Sequence, residues 1–148
     1  MPEPIEIMVD DKEIQQLLKK LISKTENLRP LMKNIAGIML DSVEENFEKE
    51  GRPDKWQGLA KTTIKQRNKK GYWPGRILQV RGELAASITS KYDENSAVVG
   101  TNKVYAAIHQ FGGEAGKNKK VKIPARPYLK LGDKENKQII ENILLFLD

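Results

Sequence analysis

One long helical stripe places the strongest constraint on how this chain can fold. Mostly apolar residues recur every three or four positions before a glycine, at Leu31, Ile35, Ile38, Met39, Ser42, Val43, Asn46 and Phe47. This spacing puts them on one side of a helix, which must be buried against the rest of the chain. Pro30 suits a first helical turn, whereas Gly51 followed by Arg52 and Pro53 predicts the end of the helix.

Amphipathic patterns also predict a helix near each end of the chain. Asp10 and Glu13 form a capping-box-like pair, so the first helix should begin near Asp11. Its predicted buried face contains Ile14, Leu17, Leu18, Leu21 and Ile22. This helix and the long one form either an antiparallel hairpin or one kinked rod. The last helix begins at Asp133 and has a broad apolar face that extends to Leu147.

Shorter elements are predicted between the long helices. Residues 59–67 favour a short basic helix, and residues 89–92 and 97–100 favour two strands around a polar turn. Residues 105–111 are typical of a helical turn closed by two glycines. A lysine-rich loop then leads to a strand at residues 121–123.

Taken in order, these elements predict an α+β fold. It has N-terminal helices, a small central antiparallel sheet with a hairpin, and a C-terminal helix. The length of 148 residues fits one ordinary domain, so we expect residues 1–148 to fold as a single unit.

The composition is unfavourable for an enzyme. The chain has no cysteine, which excludes disulfides, thiolate metal sites and cysteine nucleophiles, and it has a single histidine, His109. No carboxylate or serine lies at a spacing that would form a relay with His109. We therefore predict no catalytic, metal-binding or cofactor-binding residues, no cofactor, and a packed or hydrogen-bonded imidazole at His109.

The basic residues of the chain could contact either a protein or a nucleic acid. Twenty-six Lys and Arg against twenty Asp and Glu give a net charge of +6. Within residues 68–76, Tyr72 and Trp73 lie among lysines and Arg76, which suits either base stacking or a protein interface. We predict a loop that becomes ordered only on assembly, with Tyr72, Trp73 and Arg76 as candidate interface residues. A basic nucleic-acid-binding module is the alternative function.

Several motifs across most of the chain after the first helix resemble a known family. The two most specific run from Tyr105 to Gly113, with the sequence YAAIHQFGG, and from Ile123 to Leu129, with the sequence IPARPYL. Together with Gly82-Glu83-Leu84 and Val99-Gly100-Thr101, they resemble the phage virion morphogenesis family of Mu-like tail-completion proteins. The resemblance implies a structural role in completing the tail and joining it to the head. It also implies a fold similar to tail terminators and head–tail connectors, which act as rings.

The resemblance further implies partners and a location. The expected partners are other copies of the chain, in a possible ring, together with proteins adjacent to the tail tube and terminator and head–tail connector proteins. Nucleic acid is a less favoured partner. The chain lacks an apolar stretch long enough for a bilayer and a secretory signal pattern, so we expect no membrane contact. Assembly in the bacterial host cytoplasm and a final place in the virion tail or neck are therefore expected.

The second motif contributes two more candidate interface residues, Arg126 and Tyr128. Pro124 and Pro127 restrict the backbone around Arg126 and favour a fixed direction for its side chain, as an ion-pair anchor. The glycines after Phe111 permit a tight turn that would place residues 105–111 beside residues 124–129. An internal joint and a direct subunit contact are both consistent with this arrangement.

Overall fold

The computed structural model describes residues 5–6, 11–22, 27–71, 75, 77–78, 83–103, 106–115 and 121–147, and it has the predicted α+β class. The helices are α1 (Lys12–Ile22), α2 (Arg29–Glu48), α3 (Lys61–Lys69), α4 (Glu83–Ala86), α5 (Ala106–Phe111) and α6 (Asp133–Leu147). The strands are β1 (Ile5–Glu6), β2 (Thr89–Tyr92), β3 (Ala97–Thr101), β4 (Gly113–Ala115) and β5 (Val121–Ile123).

The N-terminus of α1 is capped by Asp11. Its Oδ1 accepts a hydrogen bond from the backbone N–H of Ile14 at 3.1 Å, which satisfies one of the free amides of the first turn. The predicted start near Asp11 is therefore confirmed. The capping residue, however, is Asp11 and not the predicted Asp10, which lies outside the described residues. Ile14 and Leu21 are buried, as the stripe predicted.

The long helix α2 confirms the sequence stripe and its stop signal. Residues of the stripe are buried from Leu31 to Phe47, with only Ile38 partly exposed. Gly51 has a φ of +113°, and a Cβ at this position would lie 2.6 Å from the backbone nitrogen of Trp56. A side chain at residue 51 would therefore collide with the returning chain, so the turn after α2 requires glycine.

The predicted hairpin is present and its turn is fixed by one carboxylate. Strands β2 and β3 are antiparallel, with Thr89 opposite Gly100 and Tyr92 opposite Ala97, and β3 lies between β1 and β2 in the sheet. The Oδ1 atom of Asp93 accepts hydrogen bonds from the amides of Asn95 and Ser96. These bonds favour the ionised carboxylate, so the pKa of Asp93 is lowered, chiefly by the Asn95 amide.

The bounds of α3 and the presence of β4 differ from the sequence prediction. The short basic helix was expected at residues 59–67 but is α3, so Asn68 and Lys69 belong to a helix rather than to the predicted loop. Strand β4 was not predicted at all: it follows α5 directly and pairs antiparallel with β5, with Gly113 opposite Ile123. The pattern of residues 113–115 is too short to show strand alternation, so only the pairing reveals it. The lysine-rich residues 116–120 lie outside the described residues.

The chain divides into two compact units. Unit 1 comprises Met1–Ile5, Glu44–Ser87 and Thr101–Tyr128, and unit 2 comprises Glu6–Val43, Ile88–Gly100 and Leu129–Asp148. Folding of residues 1–148 as one domain stays a prediction.

In unit 2, α1 packs against α6. The buried face of α6 repeats every four residues at Glu135, Ile139 and Ile143, and both isoleucines are fully buried. Ser42 Oγ donates to the carbonyl oxygen of Lys130 at 2.9 Å, which joins α2 to the chain before α6. Among the described residues, no helix is both long and apolar enough to span a membrane.

We expect Ile143→Ala to lower the free energy of unfolding by about 2–5 kcal/mol, because it removes a buried side chain and leaves a cavity. Leu145→Ala is the matched control on the same helix, since Leu145 is 74% exposed and should cost less than about 0.5 kcal/mol. Urea unfolding monitored by circular dichroism measures both. Similar losses for the two variants would mean that α6 is not packed through Ile143.

Candidate functional site around residues 124–128

The candidate site is built around residues 124–128, which we call the proline segment. The segment follows β5 without entering a helix or strand, as Pro124 and Pro127 predicted. Neither proline has an amide hydrogen, so the segment cannot form a regular ladder with a neighbouring strand. Its remaining polar groups must be satisfied by side chains and by irregular backbone contacts.

Helix α5 supplies the first set of these contacts. The amide of Arg126 donates to the carbonyl oxygen of His109 at 2.8 Å, and the amide of Tyr128 donates to Gln110 Oε1 at 3.0 Å. The Tyr128 hydroxyl donates to the carbonyl oxygen of Ala106 at 2.8 Å. The predicted packing of the two motifs against each other is thereby confirmed for the described residues.

The approach of the proline segment to α5 requires a glycine after Phe111. Gly112 has a φ of +74°, and a Cβ there would lie 2.8 Å from the backbone nitrogen of Ala125 and 2.9 Å from the carbonyl oxygen of Ile123. Only glycine accommodates both the left-handed conformation of residue 112 and the close approach of the neighbouring backbone.

The C-terminal end of α2 supplies the second set of contacts. Asn46 Nδ2 donates to the carbonyl oxygen of Tyr128 at 2.7 Å. The Oδ1 atom of the same amide accepts from Arg52 Nε at 2.8 Å, and Arg52 Nη1 reaches Glu45 Oε2 at 3.0 Å. Asn46 is buried, so these bonds satisfy a polar side chain that would otherwise destabilise the core.

An aromatic cluster covers this network. The Phe47 ring lies edge-on to Trp56 with centroids 5.9 Å apart, and it is tilted against Tyr128 with centroids 5.2 Å apart. Trp56 Nε1 donates to the carbonyl oxygen of Pro127 at 3.1 Å. Each ring thus contributes apolar burial, while Trp56 and Tyr128 also satisfy backbone carbonyls.

Arg126 connects the proline segment to the loop before α3. Its side chain is buried, and it donates from Nε to the carbonyl oxygen of Gln57 at 2.9 Å and from Nη2 to that of Gly58 at 3.1 Å. The expected ion-pair anchor is therefore wrong in its partner: the guanidinium binds backbone carbonyls. The planar fork of an arginine can reach two carbonyls in successive residues at once.

The electrostatics of the site are dominated by buried positive charge. Burial is the main cause that lowers the pKa of Arg126 and of Arg67. The charge of Arg67 lowers the pKa of Arg126 further, whereas the charge of Glu50 partly raises the pKa of Arg67. Burial, and secondarily Arg126, also lower the pKa of His109. The imidazole is therefore neutral at pH 7. The backbone carbonyl of His109 accepts the hydrogen bond from the Arg126 amide.

The five candidate interface residues fall into two groups, those outside and those within the described residues. Tyr72, Trp73 and Arg76 lie outside the described residues, so the prediction of a loop ordered on assembly stays a prediction. Arg126 and Tyr128 are brought together in unit 1 and are 6% and 0% exposed. Their side chains make the internal contacts of the joint, and a direct subunit contact through them stays a prediction.

Sequence reasoning missed the partners of the proline segment. Asn46, Trp56 and Gln110 each bind its backbone, and none was predicted to do so. Asn46 did carry a signal, because it is a polar residue within the apolar stripe of α2. Gln110 lies in residues 105–111, which were predicted to pack beside the proline segment, but no pattern indicated its bond to the Tyr128 amide. Trp56 carried no signal of its bond to the Pro127 carbonyl.

The side chains of this arrangement fix the backbone conformation of the proline segment. Guanidinium, amide and indole groups donate to backbone carbonyls, and the aromatic rings are buried against one another. The site therefore belongs to a structural class, in which the motif residues keep the backbone in one conformation.

Comparison with known proteins agrees with this structural class. The model of the phage virion morphogenesis family matches residues 9–148, which is nearly the whole chain. The chain therefore belongs to the phage virion morphogenesis family, and the resemblance seen in its motifs is confirmed.

Curated relatives come from Mu and Mu-like prophages. The chain is 46% identical to the Mu-like prophage FluMu G protein 2 of Haemophilus influenzae over 94% of this chain and 93% of that protein. It is 35% identical to the putative capsid assembly protein G of Escherichia phage Mu, over 93% of this chain and 90% of that protein. No solved structure matches the chain, so the likeness to tail-terminator and connector folds stays a prediction.

We expect Arg126→Gln to lower the free energy of unfolding by about 2–4 kcal/mol, because it removes a buried guanidinium that donates to two carbonyls of the loop before α3. Relief of the repulsion with Arg67 offsets only part of this loss. Lys122→Gln removes the same charge from an exposed side chain of β5 and should change stability by less than about 0.5 kcal/mol. Denaturant unfolding compares the two, and equal small effects would show that the Arg126 bonds are not needed for folding.

The lowered pKa of His109 predicts a loss of stability in mild acid. Below the ordinary value of 6.5 the unfolded chain binds a proton that the folded chain resists, so stability falls as the pH decreases from 6.5 towards the folded pKa. His109→Gln removes this titration. Between neutral and mildly acidic pH, the melting temperature should therefore decrease more steeply for the unmodified chain than for the variant. Parallel decreases would contradict a half-buried, neutral imidazole.

Proposed function

We propose that this chain is a structural protein of phage tail completion and head–tail joining, which acts by protein–protein contacts and not as an enzyme. Family membership over residues 9–148 carries the proposal. The relative from phage Mu is named a putative capsid assembly protein, and the alignment covers nearly all of both chains. A shared assembly role is consistent with similarity over the full length.

The internal contacts of the motif residues support a structural role. The most specific family motifs of this chain meet in the joint around the proline segment, where Arg126 and Tyr128 are buried. The chain has one histidine, which lies in that joint with a lowered pKa, and no cysteine. The residues of its most specific motifs therefore hold the fold together, as expected of a structural protein.

Exposed apolar side chains support protein partners. In unit 1, Phe111 is 70% exposed at the end of α5, directly beside the joint. In unit 2, Leu144 and Leu145 are 49% and 74% exposed near the end of α6. Large apolar groups held on ordered helices are typical of interface centres. We propose that these surfaces bind other copies of the chain, in a ring, or neighbouring tail and connector proteins.

The proposed role also implies a location. The protein would be made in the bacterial host cytoplasm and would end in the tail or neck of the virion. Its detection in purified particles by mass spectrometry, at a fixed ratio to a tail protein, would support this location, and its absence from intact particles would contradict it.

Deletion of the gene from the phage that encodes it tests the function. We expect electron microscopy of lysates to show separate heads and tails in place of virions, and a plasmid copy of the gene to restore infectious particles. A normal yield of virions without the gene would overturn the proposal.

Phe111→Ser refines the same test at the level of one surface. Because Phe111 is exposed, the free energy of unfolding of the variant should lie within about 0.5 kcal/mol of that of the unmodified chain. The variant should nevertheless restore fewer virions from the plasmid. Lys103→Ser, at another exposed position of unit 1, is the control and should restore the full yield. Equal yields would exclude Phe111 from the assembly contact.

A further inference from the structure

The exposed side of α3 carries a row of lysines. Lys61, Lys65 and Lys69 are four residues apart and all three are exposed. Successive members of such a row are separated by about 100° × 4, or roughly 40° around the axis, and by about 6 Å along it. The three ammonium groups therefore form one narrow row about 12 Å long on the helix surface.

The opposite side of α3 is fixed to unit 1. Arg67 is buried, and Thr63 and Ile64 beside it are partly buried. On the helical wheel, Arg67 lies roughly opposite the centre of the lysine row. Burial of Arg67 thus sets the rotation of the helix, so the lysines are directed towards solvent by the fold.

The positive charge of the row is not balanced within the helix. The sequence of α3 is KTTIKQRNK, which contains no acidic residue. Within the part of the chain that the structure describes, the ion pairs join Glu45 to Lys49 and to Arg52, and none involves the lysine row. Like charges at a spacing of four residues destabilise a helix slightly. The row therefore carries a small cost within the fold, and an external anion would remove it.

The chemistry of the neighbouring residues identifies the kind of anion. Thr62, Gln66 and Asn68 are the other exposed residues on this side, and no aromatic or large apolar residue lies among them. Centres of protein interfaces are enriched in aromatic residues and depleted in lysine. Phosphate groups of DNA, by contrast, are bound by lysine together with threonine, asparagine and glutamine side chains.

From this surface we infer that the exposed side of α3 binds the phosphate backbone of double-stranded DNA without sequence preference. The three ammonium groups, spaced about 6 Å apart along the helix, can each contact one phosphate of the DNA backbone. The lysines supply the charge, and the Thr62, Gln66 and Asn68 side chains supply neutral hydrogen bonds. This activity adds to the proposed assembly role and does not depend on it.

Fluorescence anisotropy of a labelled duplex of arbitrary sequence tests the inference with the full-length chain. Three phosphate contacts contribute a slope of about −2.7 to the dependence of log affinity on log salt. Lys61→Gln/Lys65→Gln/Lys69→Gln should remove that part of the slope. Between about 50 and 200 mM salt, the unmodified chain should lose roughly 40-fold more affinity than this variant.

Lys12→Gln/Lys91→Gln/Lys103→Gln is the matched control, because it removes the same charge from three exposed lysines outside α3. It should retain nearly the full salt slope. Circular dichroism should show that both variants keep their helix content, since all six side chains are exposed.

Three results would overturn the inference. The first is equal salt slopes for the two triple variants, which would mean that net charge alone attracts DNA. The second is failure of the unmodified chain to bind duplex at low salt. The third is an α3 variant that binds DNA normally but no longer supports virion formation, which would assign the row to an acidic protein partner.

Discussion

The backbone of the proline segment is the constraint on which the rest of unit 1 depends. Two prolines prevent residues 124–128 from entering a sheet, so their carbonyls and amides require other partners. Those partners come from α5, from the end of α2 and from the loop before α3: the His109 carbonyl, the Asn46 amide and the Trp56 indole each bind the segment. One irregular stretch therefore determines the positions of several regular elements.

The same constraint explains why charge is buried in this unit. Arg126 extends from the segment to two carbonyls of residues 57 and 58. Burial, and secondarily the charge of Arg67, lower the pKa of Arg126. Glu50 partly compensates at Arg67. The hydrogen bonds from Arg126 to the loop before α3 are charge-assisted and directional, and they offset the cost of burying its charge. Arg67 then fixes the rotation of α3 and directs its lysines outward.

A rigid joint beneath exposed helices suits a protein of virion assembly. Phe111 emerges from α5 at the point where that helix contacts the proline segment, so any partner that binds it would contact a well-held surface. Preorganised surfaces lose less conformational entropy on binding than flexible ones. The lysine row on α3 is charged, whereas the exposed side chain of Phe111 is apolar, so the two surfaces proposed for contacts differ in chemistry.

The sequence by itself determined the elements whose signals are local. The stripe of α2, the Asp11 start of α1, the β2–β3 hairpin and α6 follow from spacing, caps and turns within a few residues, and the family follows from two motifs. Only the tertiary structure decided strand β4, the partners of Arg126 and the burial of Arg67 and Tyr128. The Asn46–Tyr128 bond, for example, joins residues 82 positions apart. Sequence patterns report which residues are apolar or turn-forming nearby, whereas a hydrogen bond across the fold depends on packing that no local pattern contains.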